Sequence, residues 1–389
     1  MNKVKLGDLV EFQRGYDLPK NKIQSGKYPV ITSNGILGYH NEYKSGPSVV
    51  IGRSGTTGNP QLINEKFWAH NTTLFIKDFK GNDIKYIYYL LLNTDINKMK
   101  SGSNIPTLNR NHLHLISINA TTDKILQRRI ANTLSNIDNK IELNNKINDE
   151  FEAMAKTIYD YWFLQFEFPN EEGKPYKSSG GKMVWNEELK REIPEGWEVK
   201  TLYDIADYIN GLACQKYRPI NKDNILPVIK IVEMHNGITS NTEYVRDDIP
   251  LKNIIDTGDI LFSWSASLEV TLWKGKKAGL NQHIFKVVPK FYPKYYIYMQ
   301  LSAYIINFIK IAETRKTTMG HITIDHLKQS KILLPNIKLA KTYDIFVKDL
   351  FEKILLNNIE NQELTSLRDF LLPLLMNGQV GFKEDKAEG

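Results

Sequence analysis

The chain has 389 residues, enough for two or three domains, with 41% hydrophobic and 24% charged residues, as in ordinary globular proteins. Its formal net charge is +7, its longest aliphatic and aromatic run is residues 86–92, and Cys214 is the one cysteine. These features exclude an intrachain disulfide and a hydrophobic stretch long enough to span a membrane. The N-terminus has no apolar core of the signal-peptide kind, so the expected location is the reducing cytoplasm.

The charge is unevenly placed. Residues 1–122 carry 15 Lys/Arg against 8 Asp/Glu, and residues 199–338 carry 19 against 12, a net +7 each, so the rest of the chain is net −7. Two basic regions point to a polyanionic partner, most simply nucleic acid. The plainer alternative is a dispersed solubilising surface.

In chain order, the first basic region shows strand-like runs at 28–32, 48–52 and 72–76, a helix at 83–93 and a last strand at 115–119. From residue 122 the apolar period becomes helical, with Thr121 or Thr122 as the expected N-cap. Residues 165–198 hold Gly-Gly, three prolines and eight glutamates, and read as a linker or clamp rather than a compact element. The second basic region repeats the order: strands at 228–232, 259–264 and 283–288, a helix at 292–311, a strand at 331–334, and a long helix from about Lys338. The division expected is a first head at 1–122, a first long helix at 123–164, a linker at 165–198, a second head at 199–338, a second long helix at 339–377 and a tail at 378–389.

Short matches tie the halves together. Leu6-Gly7-Asp8 is similar to Leu202-Tyr203-Asp204. Ile105-Pro106-Thr107-Leu108 is similar to His321-Ile322-Thr323-Ile324, and His112-Leu113 to His326-Leu327. In the long helices, Ile-Glu-Leu-Asn-Asn-Lys-Ile-Asn at 141–148 is echoed by Ile-Leu-Leu-Asn-Asn-Ile-Glu-Asn at 354–361. A repeat of this kind implies two similar heads and two similar rods.

The rods carry heptad seams. Leu134, Ile137, Ile141, Asn144, Asn148, Phe151, Ala155 and Ile158 alternate by three and four residues, as do Val347, Leu350, Ile354, Asn357, Asn361, Leu364, Arg368 and Leu371. Asparagine in a seam fixes register, because only another polar group satisfies it. Antiparallel pairing sets Asn144 against Asn361 and Asn148 against Asn357. The alternatives are that each rod packs on its own head or pairs with a second chain. Arg368 in the seam is expected to reach outward or to pair with Asp369 or Glu363, and Pro373 to kink or end the last turn. The separation of 24 positions from Leu134 to Ile158 spans roughly 36 Å, close to the roughly 34 Å turn of B-DNA, so the rods could act as a ruler.

Catalytic motifs are missing. There is no nucleotide-binding loop with Gly-Lys-Ser/Thr, no Cys-x-x-Cys and no His-Glu-x-x-His. His112 and His114 are read as structural or solvated residues alternating on a strand. Glu188-Leu189-Lys190 and Glu198-Val199-Lys200 match a nuclease Glu-x-Lys without the upstream Pro-Asp. No metal ligand set and no catalytic residue is assigned. A DNA reader needs Arg, Asn, Gln, Ser and Thr for base edges and Lys for phosphates. The loops offer Arg53, Ser54, Thr56, Thr57, Asn71, Asn104, Thr107, Asn109 and Arg110 in the first head. In the second they offer Ser263, Trp264, Ser265, Asn281, Gln282, His283, Arg315, Lys316, Thr317 and His321.

The end of the first rod, Ile158-Tyr159-Asp160-Tyr161-Trp162-Phe163, is followed by Ser-Ser-Gly-Gly-Lys-Met-Val-Trp at 178–185 and Ile-Pro-Glu-Gly-Trp at 193–197. This region resembles the centre of the specificity (S) subunit of Type I restriction-modification systems, and the likeness extends in architecture over nearly the whole chain. The resemblance implies an α+β fold: two target recognition domains of mixed sheet and short helices, separated by two long helices paired as an antiparallel coiled coil. It implies a bipartite, asymmetric double-stranded DNA target, two adenine-N6 methyltransferase (M) subunits, and motor-nuclease (R) subunits. S-adenosylmethionine, ATP and magnesium would be used on those subunits and no cofactor on this one. The alternative is a stand-alone two-headed DNA-binding regulator.

Overall fold

The computed structural model describes residues 1–54, 58–94, 96, 107–221, 223–314 and 321–383. The chain divides into two compact units, 1–142 with 362–389 and 143–361. The dividing points fall inside the two long helices, Lys124–Tyr159 and Ile337–Met376.

The first unit opens and closes its head on one ladder: Asn2–Lys5 pairs antiparallel with Ser117–Ala120. The short helix Leu6–Leu9 follows, where the Asp8 carboxylate accepts from the Lys5 amide at 3.1 Å. The main sheet runs Glu11–Arg14, Thr73–Asp78, Ser48–Gly52, Pro60–Ile63 in spatial order, all antiparallel. A second sheet runs Gly35–His40, Tyr28–Thr32, Trp68–Ala69, with the last pair parallel. Val49, Ile51, Leu74 and Ile76 from the main sheet, Tyr86 and Leu90 from the helix Ile84–Leu92, and Leu134 with Leu375 from the long helices share one buried core. Asp83 caps that shorter helix by accepting from the Tyr86 amide at 2.9 Å.

The second unit has the same plan. Glu198–Thr201 pairs with Lys331–Leu334, and the helix Leu202–Ile205 carries Asp204, which accepts from the Thr201 amide at 2.8 Å. The main sheet runs Ala206–Asn210, Ile284–Pro289, Ile260–Ser263, Glu269–Leu272. The second sheet runs Tyr244–Arg246, Ile225–Ile229, Ala278–Leu280, Ile254–Ile255, with its central pair parallel.

Three expectations are corrected. Residues 165–198 are compact: Phe166, Phe168, Ile193 and Trp197 are buried in the core of the second unit, and Met183–Asn186 forms a hairpin with Arg191–Pro194. The aromatic residues outweigh the Gly and Glu content, with Phe168 stacked on Trp197 at 5.4 Å. The first long helix is capped by Asp123, whose carboxylate accepts from the Ile125 amide at 2.8 Å, while Thr121 accepts from Asp123 itself. Residues 228–232 are not one strand, because the strand ends at Ile229 and Ile231–Asn236 is a short helix.

Within the second unit the rods run antiparallel. Asn357 Nδ2 donates to Asn148 Oδ1 at 2.9 Å, and Asn144 Nδ2 donates to Asn361 Oδ1 at 2.9 Å and to Glu360 at 2.7 Å. Asn361 Nδ2 in turn donates to Asn145 Oδ1 at 2.9 Å. Asn144, Asn148 and Asn357 are buried, so each amide layer replaces water that a seam position excludes. Within the first unit, Arg368 pairs with Asp138 at 2.9 Å as well as with Asp369 at 2.8 Å. The partner not foreseen, Asp138, lies one residue past the seam and also accepts from the Tyr89 hydroxyl. Pro373 does not stop the helix where it stands. Proline removes one amide-to-carbonyl bond there, but buried Leu375 and Met376 hold the last turn in the core.

Candidate nucleic-acid interface

Each head has a place where three chain segments meet at the end of the main sheet. In the first head, the strand Ser48–Gly52 runs on into Arg53 and Ser54. The Arg53 amide donates to Thr72 O at 2.8 Å, the Leu108 amide donates to Arg53 O at 2.9 Å, and Ser54 bridges to Thr107. In the second head, the strand Ile260–Ser263 runs on into Trp264. The Trp264 amide donates to His283 O at 3.3 Å, and the Ile322 amide donates to Trp264 O at 2.9 Å. Arg53 therefore corresponds to Trp264, Thr72 to His283 and Leu108 to Ile322.

The short helices behind these edges sharpen the alignment. Arg110–His114 is capped by Asn109, which accepts from the Asn111 amide at 2.9 Å. Ile324–Gln329 follows Thr323, whose amide donates to His326 Nδ1 at 2.9 Å. Asn109 thus matches Thr323 and Thr107 matches His321. The match of residues 105–108 with 321–324 read from sequence is out by two positions, while His112-Leu113 with His326-Leu327 is in register. Residues 112 and 114 lie on a helix, not a strand. His114 Nε2 accepts from the Phe12 amide at 3.0 Å, and burial, followed by Lys80 and Arg110, pulls its pKa below the usual imidazole value.

A glycine makes each edge possible. A Cβ on Gly15 would lie 2.1 Å from His70 O, and one on Gly211 would lie 2.0 Å from Asn281 O. The chain can pass this close only without a side chain. Tyr16 bridges to His70 and Leu212 to Asn281, both in parallel sense, so Asn71 and Gln282 hold matching positions.

The sequence-derived candidates now sort by what their side chains do. Arg53 and Asn71 adjoin: Arg53 Nη1 donates to Asn71 O at 3.4 Å, and Asn71 Nδ2 donates to Asp17. Ser54 and Thr107 flank them, and Arg110 is exposed nearby in sequence. Trp264 is half-exposed, with its ring 5.5 Å from those of His283 and His321, and its Nε1 donates to Asn210 Oδ1 at 3.1 Å. Gln282 contacts the His283 ring at 3.3 Å. Ser263 is wholly buried and donates to Ser267 O at 2.7 Å, so it shapes a turn rather than facing a ligand. Ser265 and Asn281 are also buried, and Asn281 Oδ1 accepts from the His283 amide at 3.3 Å. Asn109 is committed to its helix cap. Thr56, Thr57, Asn104, Arg315, Lys316 and Thr317 lie outside the described residues.

Sequence reasoning missed Gly15, Thr72, Asn210 and Gly211. A signal was present: Leu6 to Leu202 and Gly15 to Gly211 share one offset, so the glycine repeats with the Leu-x-Asp motif. The Glu-x-Lys pairs are occupied, with Glu188 bound to Lys331 at 2.6 Å and Lys190 to Glu187 at 2.9 Å.

The family profile for the Type I restriction modification DNA specificity domain matches residues 1–153 and 194–366, one span around each of these edges. The chain belongs to that family. Among similar proteins, the Type I restriction enzyme MjaIX specificity subunit of Methanocaldococcus jannaschii is 26% identical over 347 residues, covering 86% of this chain and 76% of that one. The Type I restriction enzyme HindI specificity subunit of Haemophilus influenzae is 24% identical over 358 residues, covering 76% and 77%. The crystal structure of a Type I restriction-modification S subunit from M. genitalium aligns with a TM-score of 0.60 at 17% identity, over 98% of this chain and 96% of that one. A Type I specificity subunit recognises DNA and is not itself catalytic. No helix among the described residues is long and apolar enough to cross a membrane.

Proposed function

We propose that this specificity subunit reads a bipartite, asymmetric DNA sequence, one half with each head, and docks two adenine-N6 methyltransferase (M) subunits and the motor-nuclease (R) subunits. The observation that carries this is the duplicated edge. The same glycine approach, strand extension and capped helix occur in both heads, yet the side chains presented differ, Arg53 against Trp264 and Asn71 against Gln282. Two like scaffolds with unlike reading groups suit two unlike half-sites. Arginine and asparagine are the side chains suited to guanine and adenine edges, which favours Arg53 and Asn71 as readers, and the net +7 of each head serves phosphate contacts.

The chemistry belongs to the partners. S-adenosylmethionine is used on the M subunits, ATP and magnesium on the R subunits. The target adenine leaves the stack for methylation while the heads hold the flanking sequence. The rods set the gap between half-sites, with the asparagine layers as the register marks. All of this takes place in the cytoplasm.

The test is affinity recovery of the chain from its own cells, with adenine-methylation mapping with and without its gene. Co-recovery of a methyltransferase and loss of one bipartite methylated motif are expected. A partner-free chain and an unchanged methylation map would instead favour a stand-alone DNA-binding regulator.

A further inference from the structure

The first head carries an apolar hairpin tip that its reading edge does not use. Ile36, Leu37 and Tyr39 are 56%, 38% and 52% exposed. All three lie on Gly35–His40, the outer strand of its sheet. Outer strands ordinarily carry lysine or proline, because a bare apolar edge invites unwanted pairing. This tip is therefore built to be covered.

Its position says by what. The strands Tyr28–Thr32 and Gly35–His40 are joined through Ser33 and Asn34, with Gly35 at φ +103°. The Ser33 amide donates to Thr72 Oγ1 at 3.4 Å. The carbonyl of that same Thr72 accepts from the amides of Arg53 and Ser54. Tip and reading edge thus meet at one residue. The register shifts between Val30 and Ile31, which leaves Leu37 out of the ladder beside Ile36. In the second head the corresponding strand, Ile225–Ile229, instead leads into the helix Ile231–Asn236, so the device belongs to one head.

We infer that the hairpin is a ribbon that enters the DNA major groove beside Arg53 and Asn71 and packs Ile36 and Leu37 on thymine 5-methyl groups. The major groove admits a two-stranded ribbon, and the thymine methyl is the apolar group displayed there. The net +7 of residues 1–122 supplies the charge complementarity that favours DNA over a protein as the cover. This inference rests on the proposed DNA reading and assigns a base class to part of it.

The experiment uses the chain assembled with its methyltransferase subunits and the target found by methylation mapping. Each thymine of the half-site read by the first head is replaced in turn by deoxyuridine, which lacks only the methyl. Affinity should fall about fourfold per contacted methyl, the factor for burying one such group. The Ile36→Ser, Leu37→Ser variant should bind the natural target more weakly and no longer distinguish thymine from uracil. Ile36→Leu, Leu37→Ile should keep the discrimination, which separates loss of the tip from loss of the fold. A mapped target with no uracil effect at any position would overturn the inference while leaving the proposed function intact. So would a serine variant that binds target normally but no longer recovers the methyltransferase, because a protein would then be the cover. Failure to find any methylated target would remove both.

Discussion

The two heads share a scaffold and differ at the edge it presents. Strand order in the main sheet is the same, each head opens and closes on one ladder, and each has a glycine pressed on a carbonyl. At the edge, one head holds a half-buried Arg53 that donates to Asn71 O, and the other a half-buried indole beside two imidazoles. Core packing and backbone hydrogen bonds fix the scaffold, since any departure leaves a buried polar group or a void. The edge side chains are half-buried at the rim of that scaffold and can differ between heads without disturbing the core.

The largest effect should come from the shared glycines. Gly15→Ala and Gly211→Ala each drive a Cβ into a main-chain carbonyl that cannot turn aside. Each should cost about 3 kcal/mol or more, measured by chemical unfolding. An effect confined to one of the two would break the claimed equivalence of the heads.

The rods offer a second comparison, single against paired replacement. Asn357→Ala strands the Asn148 amide in a buried layer and should destabilise by about 1–3 kcal/mol. Replacing both Asn148 and Asn357 by Leu should restore stability while loosening register. A double variant as unstable as the single one would contradict a register role.

Alkaline pH should separate the units by a smaller margin. Burial, then the charges of Glu352 and Asp344, pushes the Tyr295 phenol up to about 12, and burial also raises Tyr208, Tyr296 and Tyr343. Between pH 10 and 12 the unfolded chain therefore holds fewer protons than the folded one, and stability falls as pH rises through that window. Tyr86, Tyr88 and Tyr89 are raised in the first unit. Hydrogen exchange should show the unit holding residues 143–361 opening first. Simultaneous opening would remove the distinction.

The repeat, the seams and most strands were legible in the sequence because each is a local pattern with a fixed period. Tyr28–Thr32, Ser48–Gly52 and Lys331–Leu334 fall where alternation and turn residues place them. The packed segment at 165–198 was not legible, because its aromatics stack on one another across turns and join a core drawn from residues far along the chain. Nor was the burial of Ser263 and Asn281, since a polar residue bonded to backbone looks like a binding residue until its partners are known. Asn109 fails the same way, its cap being invisible without the helix start.

The central claim is that each head reads its own half of one target. The most direct measurement is an adenine-methylation map from cells carrying the chain as Arg53→Ala or as Trp264→Ala. The account predicts a bipartite motif in both, with base preference relaxed only in one half for Arg53→Ala and only in the other for Trp264→Ala. Loss of preference in both halves from either change, or none from both, would contradict it.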